Sequence, residues 1–220
     1  MPCLNEHISV GRLVRESFSV IDQLGLSGEV VVCDNGSTDG SGLSARTAGA
    51  RVVQQKKRGY GLSVRTAMAV ATGNVIAVMD ADGSYDPRDL GALVAPIDRG
   101  QVDFVRGCRF ATPISPQAMT FARRRIGNPV LTAVLRRASG ASWRDGQSGM
   151  WAVSASTYRK LHLVADGMEF AHEILFEVQR VGARTAEVPI DYLPRHGRSK
   201  LRPVRDGLRH LNFLYRRRGY

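Results

Sequence analysis

Cysteine is scarce in this sequence, with Cys3, Cys33 and Cys108 the three examples among 220 residues. An odd number of cysteines without a CxxC spacing excludes a disulfide framework and argues against a structural zinc site. Long apolar stretches are missing too, since no segment approaches the roughly 18 to 20 uncharged apolar residues that a membrane-spanning helix needs. With no secretory signal at its start, the sequence predicts a protein of the reducing cytoplasm that does not cross a bilayer by itself.

Acidic residues are also few relative to basic ones. The 20 Asp and Glu stand against 31 Lys and Arg, which gives a net charge of +11 and a pI near 10.3. A surplus of this size predicts a polyanionic partner: a nucleic acid, an anionic membrane face or a phosphorylated small molecule. The chain has no recognised nucleic-acid motif and no basic stripe interleaved with aromatic residues, so nucleic acid is not the expected partner.

The first part of the chain alternates short apolar runs with helical patterns. Runs of β-branched residues bounded by turn residues predict strands at 29–33, 50–54, 75–79 and 102–107. Helical patterns fall between them at 43–48, 62–71 and 87–97, the last with Asp86 as its N-cap and Pro87 at its first position. This alternation predicts an α/β fold with a mostly parallel sheet and helices on both faces.

The second part of the chain has a more mixed pattern, which includes a basic helical region at 118–138. We predict one domain over 1–220, divided into halves at 1–112 and 113–220. The end of the chain predicts an amphipathic helix, because Leu208, Leu211 and Leu214 share a face and the basic run 216–218 follows. Such a helix suits an anionic membrane surface, and the alternative is a helix packed on its own domain.

The segment DADGSYDP places Asp80 and Asp82 directly after an apolar strand. Ligands bind at the carboxyl ends of parallel strands, where Asp34 also falls, so these acidic turns are expected to converge. Mg²⁺ and Mn²⁺ prefer hard oxygen ligands, and two carboxylates in one short loop can hold such a cation against a diphosphate. The alternative is an ordinary Asx turn, since Asp and Gly are common in loops.

Three further polar segments are candidates for contacts with a nucleotide or a phosphate. DNGSTDGS at 34–41 offers a carboxylate to a ribose or a base, although such a segment is more often a plain turn. KKRGYG at 56–61 and RHGRSK at 195–200 offer cationic and backbone N–H contacts to phosphate, and either is equally readable as a solvated basic loop.

Taken in order, these segments resemble the family 2 glycosyltransferases. PCLNE, DNGSTDGS and RGYGLSVRTAMAVATGNVIAVMDADGSYDP are similar to motifs of that family. DGQSGMWAVS, GMEFAHEILFEV and EVPIDYLPRHGRSKLRPVRDGLRHL resemble its branch of dolichyl-phosphate and polyprenyl-phosphate sugar transferases. The resemblance implies a GT-A fold, a nucleotide-diphosphate sugar donor, Mg²⁺ or Mn²⁺, and inversion at the anomeric carbon.

The same resemblance assigns roles to individual residues. It implies that residues 1–112 bind the nucleotide sugar and that 113–220 form the acceptor side. Asp80 and Asp82 would be the metal ligands, and together with Arg195 and Lys200 they would form the catalytic set. The donor-binding residues implied are Pro2, Asn5, Glu6, Asp34, Gly36, Ser37, Gly59, Gly61, Asp80, Ala81, Asp82, Arg109, Arg195, Ser199 and Lys200.

The acceptor implied by the branch is a polyprenyl phosphate, and the donor is of the GDP-mannose or UDP-glucose type. A phosphate oxygen is already an anion and needs no general base, whereas a sugar hydroxyl would need a carboxylate. Asp145, Glu169 and Glu173 are the candidates for that base, and each is equally readable as a structural ion-pair partner. Two other functions stay open at this point: transfer to a saccharide or small-molecule hydroxyl, and nucleotide binding without turnover.

One departure from the family concerns the start of the chain. The family has an apolar strand before its P-x-x-N-E turn, whereas this sequence begins at Met1, directly on PCLNE. Either the given start lies downstream of the native one or the strand is missing. In both cases we expect a gap in the middle of the sheet beside the nucleotide pocket. The expected location is the cytoplasm, with peripheral contact to the cytoplasmic face of a membrane.

Overall fold

A computed structural model describes residues 1–197 together with Gly207, Arg209, His210 and Phe213. Its first sheet is entirely parallel and has the order β1-β2-β3, with β1 at Pro2–Cys3, β2 at Val31–Asp34 and β3 at Arg51–Gln54. The register places Cys33 between Pro2 on one side and Val53 on the other. All of β2 is buried, as expected for the central strand of a parallel sheet.

Three helices accompany this sheet: α1 at His7–Gln23, α2 at Ser41–Thr47 and α3 at Tyr60–Val70. The last two agree with the helical patterns in the sequence. Helix α1 was not predicted, although Val10, Leu13 and Val14 form a fully buried face on it. It has no side-chain cap and no acidic residue in its first turn, so the usual signals of a helix start are missing.

The second sheet is mixed, with the order β4-β6-β5-β7. These strands lie at Val75–Val78 (β4), Phe104–Cys108 (β5), Trp151–Ser154 (β6) and Thr185–Pro189 (β7). Strand β6 runs antiparallel to both of its neighbours, whereas β5 and β7 are parallel. The α/β class is therefore confirmed, but the parallel arrangement holds throughout only in the first sheet.

The remaining helices pack around the second sheet. The predicted cap at Asp86 is confirmed, since its side chain accepts the N–H of Arg88 and a 3₁₀ turn, Pro87–Asp89, leads into α4 at Leu90–Asp98. A π-helical turn, Arg123–Gly127, leads into α5 at Asn128–Ser139. Two more helices follow, α6 at Ala155–Tyr158 and α7 at Phe170–Arg180.

The core of this part is aromatic. The Phe104 ring stacks on Trp151 with centroids 5.7 Å apart, and Trp143 meets Phe104 edge-on at 5.9 Å. Phe170 of α7 completes the group, 6.3 Å from Trp151. Because the rings come from β5, β6, α7 and a loop, they tie distant parts of the chain into one core.

A partly open cavity of about 680 Å³, lined by both apolar and polar residues, lies between the two sheets. It lies between β2 and β4 and is lined by side chains of α1 and α3, among them Val20, Ile21 and Met68. Strand β1 has only two residues and pairs with Cys33 and Asp34, so among the described residues no strand lies beside the upstream end of β2 on the side opposite β3. The expected gap is thus present, while Pro2–Cys3 themselves form a short strand.

Much of the predicted C-terminal helix lies outside the described residues, including Leu208, Leu211, Leu214 and the basic run 216–218. Gly207, Arg209, His210 and Phe213 are helical. Within the described ranges, no helix is both long enough and apolar enough to span a membrane.

Candidate active site

Asp80 and Asp82 lie just beyond the carboxyl end of β4. The hydroxyl of Ser9 in α1 donates to the carbonyl of Ala81 at 2.6 Å, which fixes the residue between the two aspartates. Asp82 Oδ1 accepts the N–H of Ser84 at 2.9 Å and closes the turn after the strand. The segment therefore forms an Asx turn and also presents two neighbouring carboxylates, so the two interpretations of the sequence are compatible.

Arg195 reaches this turn from the far end of the described chain. Its Nη2 lies 2.9 Å from Asp82 Oδ2 and 3.7 Å from Glu6 Oε1. The backbone N–H of His196 donates to the carbonyl of Asp82 at 2.9 Å. Three residues expected at the site, Glu6, Asp82 and Arg195, thus meet although they are far apart in sequence, and the guanidinium neutralises the Asp82 carboxylate.

Asp80 has a different environment from Asp82. Burial and the neighbouring Asp82 raise its pKa to about 7, against a hydrogen bond from Tyr60 and the charge of Arg195, which lower it. Its Oδ1 is enclosed and has no hydrogen-bond partner among the described residues. Gly149 approaches closely, because a Cβ on it would lie 2.5 Å from Asp80 Oδ2. Asp80 is therefore a constrained carboxylate with an unused oxygen.

The loop after β2 joins the turn at PCLNE. Asn5 adopts a left-handed backbone conformation with φ of 53°, and its Oδ1 accepts the N–H of Thr38 at 2.8 Å. Ser37 Oγ accepts the N–H of Asn5, and its own N–H donates to Asp34 Oδ1 at 2.9 Å. Asn, unlike most residues, tolerates a left-handed conformation, and here that conformation brings the two loops together.

Gly59 and Gly61 are required by close packing. A Cβ on Gly59 would meet the carbonyl oxygen of Asp166 at 2.3 Å, and one on Gly61 would meet that of Ala165 at 2.4 Å. The N–H of Gly59 donates to Asn35 Oδ1 and the N–H of Gly61 donates to the carbonyl of Gly167. Both N–H groups are therefore engaged within the protein, and these glycines shape the edge of the site.

Arg109 is buried and paired with Asp145. Its Nε lies 2.7 Å from Asp145 Oδ2 and its Nη2 lies 2.8 Å from Oδ1, a bidentate pair with side-chain exposures of 4% and 0%. Burial alone would raise the pKa of Asp145, but the charges of Arg109 and Arg106 hold it below its usual value. In this arrangement the Arg109 guanidinium and the Asp145 carboxylate bind each other.

The other two candidate bases differ from each other. Glu173 is fully buried and accepts the backbone N–H groups of Val164 and Ala165, so it holds a loop in place. Glu169 accepts the N–H of Gly167 through Oε1, while its Oε2 is enclosed and has no hydrogen-bond partner in the part of the chain that the structure describes. Of the three candidates, only Glu169 keeps an unengaged carboxylate oxygen.

The remaining residues that were predicted to bind the donor have the following locations. Pro2 lies in β1, Ala81 is buried between the aspartates, and Gly36 has φ of 80° in the loop after β2. Ser199 and Lys200 lie outside the described residues.

Sequence reasoning missed three residues that shape the site: Tyr60, Gly149 and Asn35. Tyr60 and Gly149 contact Asp80, and Asn35 contacts Gly59; in each case the two residues are far apart in the sequence. Asn35 follows Asp34 in a polar turn, which was its one visible signal.

The residues present fit a divalent cation that is shared with a phosphate ligand. The described residues include no cluster of three or more His, Cys, Asp or Glu side chains that could hold a metal by themselves. Mg²⁺ is commonly held by one or two carboxylates with substrate phosphates and water as the remaining ligands. Asp80, with its unpartnered Oδ1, and Asp82 supply that number of hard oxygen ligands.

An α/β fold with a parallel and a mixed sheet, and with two carboxylates just beyond β4 beside a basic residue and a polar turn, is typical of the GT-A glycosyltransferases. The family described as Glycosyl transferase family 2 matches residues 1–161, and the chain belongs to that family. The resemblance to this family that the sequence predicted is therefore confirmed.

Several relatives come from Haloferax volcanii. The low-salt glycan biosynthesis hexosyltransferase Agl6 is 34% identical over 97% of this chain and 52% of its own length, so the chain spans about half of that relative. A dolichyl-phosphate hexose transferase is 32% identical over 94% of this chain and 87% of its own.

Solved structures show the same fold. Glucosyl-3-phosphoglycerate synthase from Mycobacterium tuberculosis, in complex with Mn²⁺, UDP and phosphoglyceric acid, superposes with a TM-score of 0.77 over 99% of this chain and 76% of that one. At 24% identity this likeness establishes the GT-A fold alone.

Proposed function

We propose that this chain transfers a sugar from a nucleotide-diphosphate sugar, of the GDP-mannose or UDP-glucose type, to a polyprenyl phosphate. The observation that carries the proposal is the meeting of Asp80, Asp82 and Arg195 at the end of β4, next to the polar turns at Asn5 and Asp34. The choice of acceptor is supported by the similarity to a dolichyl-phosphate hexose transferase over most of both chains.

Asp80 and Asp82 would hold Mg²⁺ or Mn²⁺, which supplies positive charge to the leaving diphosphate when it is bound. Arg195, released from Asp82, would add a guanidinium to the same diphosphate, a contact that strengthens as negative charge develops there. Asn5, Asp34 and Ser37 would line the nucleoside side, where their loops are held together by hydrogen bonds.

The transfer needs no proton abstraction. A phosphate oxygen of the acceptor attacks the anomeric carbon from the face opposite the diphosphate and forms the new C–O bond. The bond from the anomeric carbon to the diphosphate breaks, and the nucleoside diphosphate leaves with the electron pair. The acceptor is already anionic, which agrees with the engagement of Asp145 and Glu173 in structural contacts. The protein would act at the cytoplasmic face of a membrane, where such an acceptor is embedded.

The test is a screen of nucleotide sugars with Mn²⁺ or Mg²⁺, read by thermal shift and by transfer to a short-chain polyprenyl phosphate. Asp82→Asn should abolish metal-dependent donor binding and leave the melting temperature of the free protein nearly unchanged. Asp22→Asn, at an exposed position of helix α1, is the matched control and should behave as the unsubstituted chain. If no nucleotide stabilises the protein with either metal, the proposal fails.

A second candidate is transfer to a saccharide or small-molecule hydroxyl. The unengaged Oε2 of Glu169 favours it, because such a reaction requires a base. Glu169 precedes Phe170, whose ring contacts that of Tyr60, and Tyr60 in turn donates to Asp80. Glu169→Gln should stop transfer to a hydroxyl acceptor and leave transfer to a polyprenyl phosphate intact, so this variant separates the two functions.

A further inference from the structure

We infer that the outer face of residues 121–137 is a contact surface for an anionic lipid bilayer. We call it the α5 outer face; its apolar residues are Phe121, Ile126 and Val130, and its basic residues are Arg125, Arg136 and Arg137. It is distinct from the C-terminal helix that the sequence suggested for membrane contact. The inference does not depend on the identity of the donor or the acceptor.

The apolar part of this face consists of three strongly exposed side chains. Phe121, Ile126 and Val130 are 74%, 60% and 54% exposed. The π-helical turn at Arg123–Gly127 carries one more residue per turn than an α-helix, so the spacing of five from Phe121 to Ile126 keeps them on one side. Val130 follows one α-helical turn later. Exposed apolar residues are ordinary when scattered singly, whereas three on successive turns mark an interaction site.

The opposite face of α5 packs against the rest of the protein. Asn128, Thr132 and Leu135 are buried, with Leu135 fully enclosed beside the aromatic core. Thr132 Oγ1 accepts the N–H of Gly146 at 3.1 Å. Turning the helix to hide its outer apolar residues would expose Leu135 and break this bond, so the outer face is left for a partner.

Charge identifies the partner. No acidic residue occurs between Asp103 and Asp145, and that interval contains eight arginines. Arg125, Arg136 and Arg137 are exposed and form no ion pair with any residue in the described ranges. An apolar helix face flanked by unpaired cations is the pattern of a helix that lies in the interface of an anionic membrane. Each such arginine near an anionic leaflet strengthens binding by about fivefold.

The position of the face also relates it to the site. Gly146, held by Thr132, opens the short loop that leads to Gly149, and Gly149 packs against the Asp80 carboxylate. A bilayer bound at the α5 outer face would therefore lie on the side of the protein that carries this loop.

The test is co-sedimentation of the whole chain with vesicles of phosphatidylcholine, with and without phosphatidylglycerol. We expect binding to the anionic vesicles alone. The triple variant R125Q/R136Q/R137Q should weaken it by about 100-fold, the product of three fivefold effects. F121S/I126S/V130S should weaken it at least tenfold, and these side chains are exposed, so the melting temperature of each variant should stay unchanged.

Two matched controls make the test specific. R46Q/R99Q/R159Q removes the same charge from exposed arginines elsewhere, and I8S/L43S removes side chains that are 75% and 68% exposed on other helices. Equal losses of vesicle binding for the α5 variants and the control variants would overturn the inference. It would also be overturned if the chain bound no vesicles and formed a dimer, seen in sedimentation equilibrium, that F121S/I126S/V130S dissociates. Nucleotide binding without vesicles should be the same in all variants. A failure of the membrane inference is therefore distinguishable from a failure of the proposed transferase function.

Discussion

Asp145→Asn is the substitution whose cost follows most directly from the structure. The carboxylate is fully buried and neutralises Arg109 through two short contacts, while fully buried Arg106 donates from Nε to the Asp145 carbonyl at 2.7 Å. Asn removes a negative charge that acts on two buried guanidinium groups. Breaking a buried pair in this way costs about 3–5 kcal/mol, and at about 2–4 °C per kcal/mol for a chain of this size the melting temperature should fall by roughly 6–20 °C.

Urea denaturation followed by tryptophan fluorescence measures this loss, since Trp143 and Trp151 are both buried in the core. The control is Asp103→Asn, which breaks an exposed pair with Arg184 and should cost less than about 1 kcal/mol. The double variant R109M/D145L removes both members of the Arg109–Asp145 pair and should be more stable than Asp145→Asn alone, which leaves Arg109 buried without its carboxylate. A loss for Asp145→Asn no greater than that for Asp103→Asn would refute the reasoning.

Three further predictions concern the site and the cavity. Gly149→Ala should weaken Mn²⁺-dependent UDP or GDP binding at least tenfold in titration calorimetry, because the new methyl group displaces Asp80, whereas Gly127→Ala, with its nearest contact at 3.9 Å, should have no effect. The same affinity should fall about fivefold from pH 7 to pH 6 and level off above pH 8, because the raised pKa of about 7 leaves Asp80 mostly protonated below pH 7; a flat profile would contradict this. An apolar β-branched extension before Met1 should raise the melting temperature by filling the cavity, and a Gly-Ser extension should not; equal values for both would count against that role.

The α/β part of the fold could be predicted because its signals are local. The strands at Val31–Asp34 and Val75–Val78 are apolar runs that end in acidic turns, and Asp86 with Pro87 marks a helix start within a few residues. Strand β6 gave no such signal. It runs antiparallel between β4 and β5, and its place depends on pairing with residues more than 40 positions away, which neither periodicity nor turn chemistry encodes.

The candidate site divides in the same way. Asp80 and Asp82 could be found from their position after a strand, and their neighbour Arg195 was expected at the site from its motif. The commitment of Arg109 to Asp145 could not be foreseen, because the two are 36 residues apart and their pairing depends on both being enclosed by the fold. The same holds for Tyr60 and Gly149, whose contacts with Asp80 arise from packing alone.

The cavity between the sheets has a consequence for how the protein unfolds. In the described part of the chain no backbone hydrogen bond links β2 to β4, so the two sheets are coupled through side chains and loops and not through a continuous ladder. Such a break favours separate cooperative units, each able to open without the other. In hydrogen exchange, the amide of Ala77, which faces the cavity, should exchange before that of Ile76, which bonds to β6. The site is built where the two units meet, so local opening there would separate Asp82 from Glu6 well before either sheet unfolds.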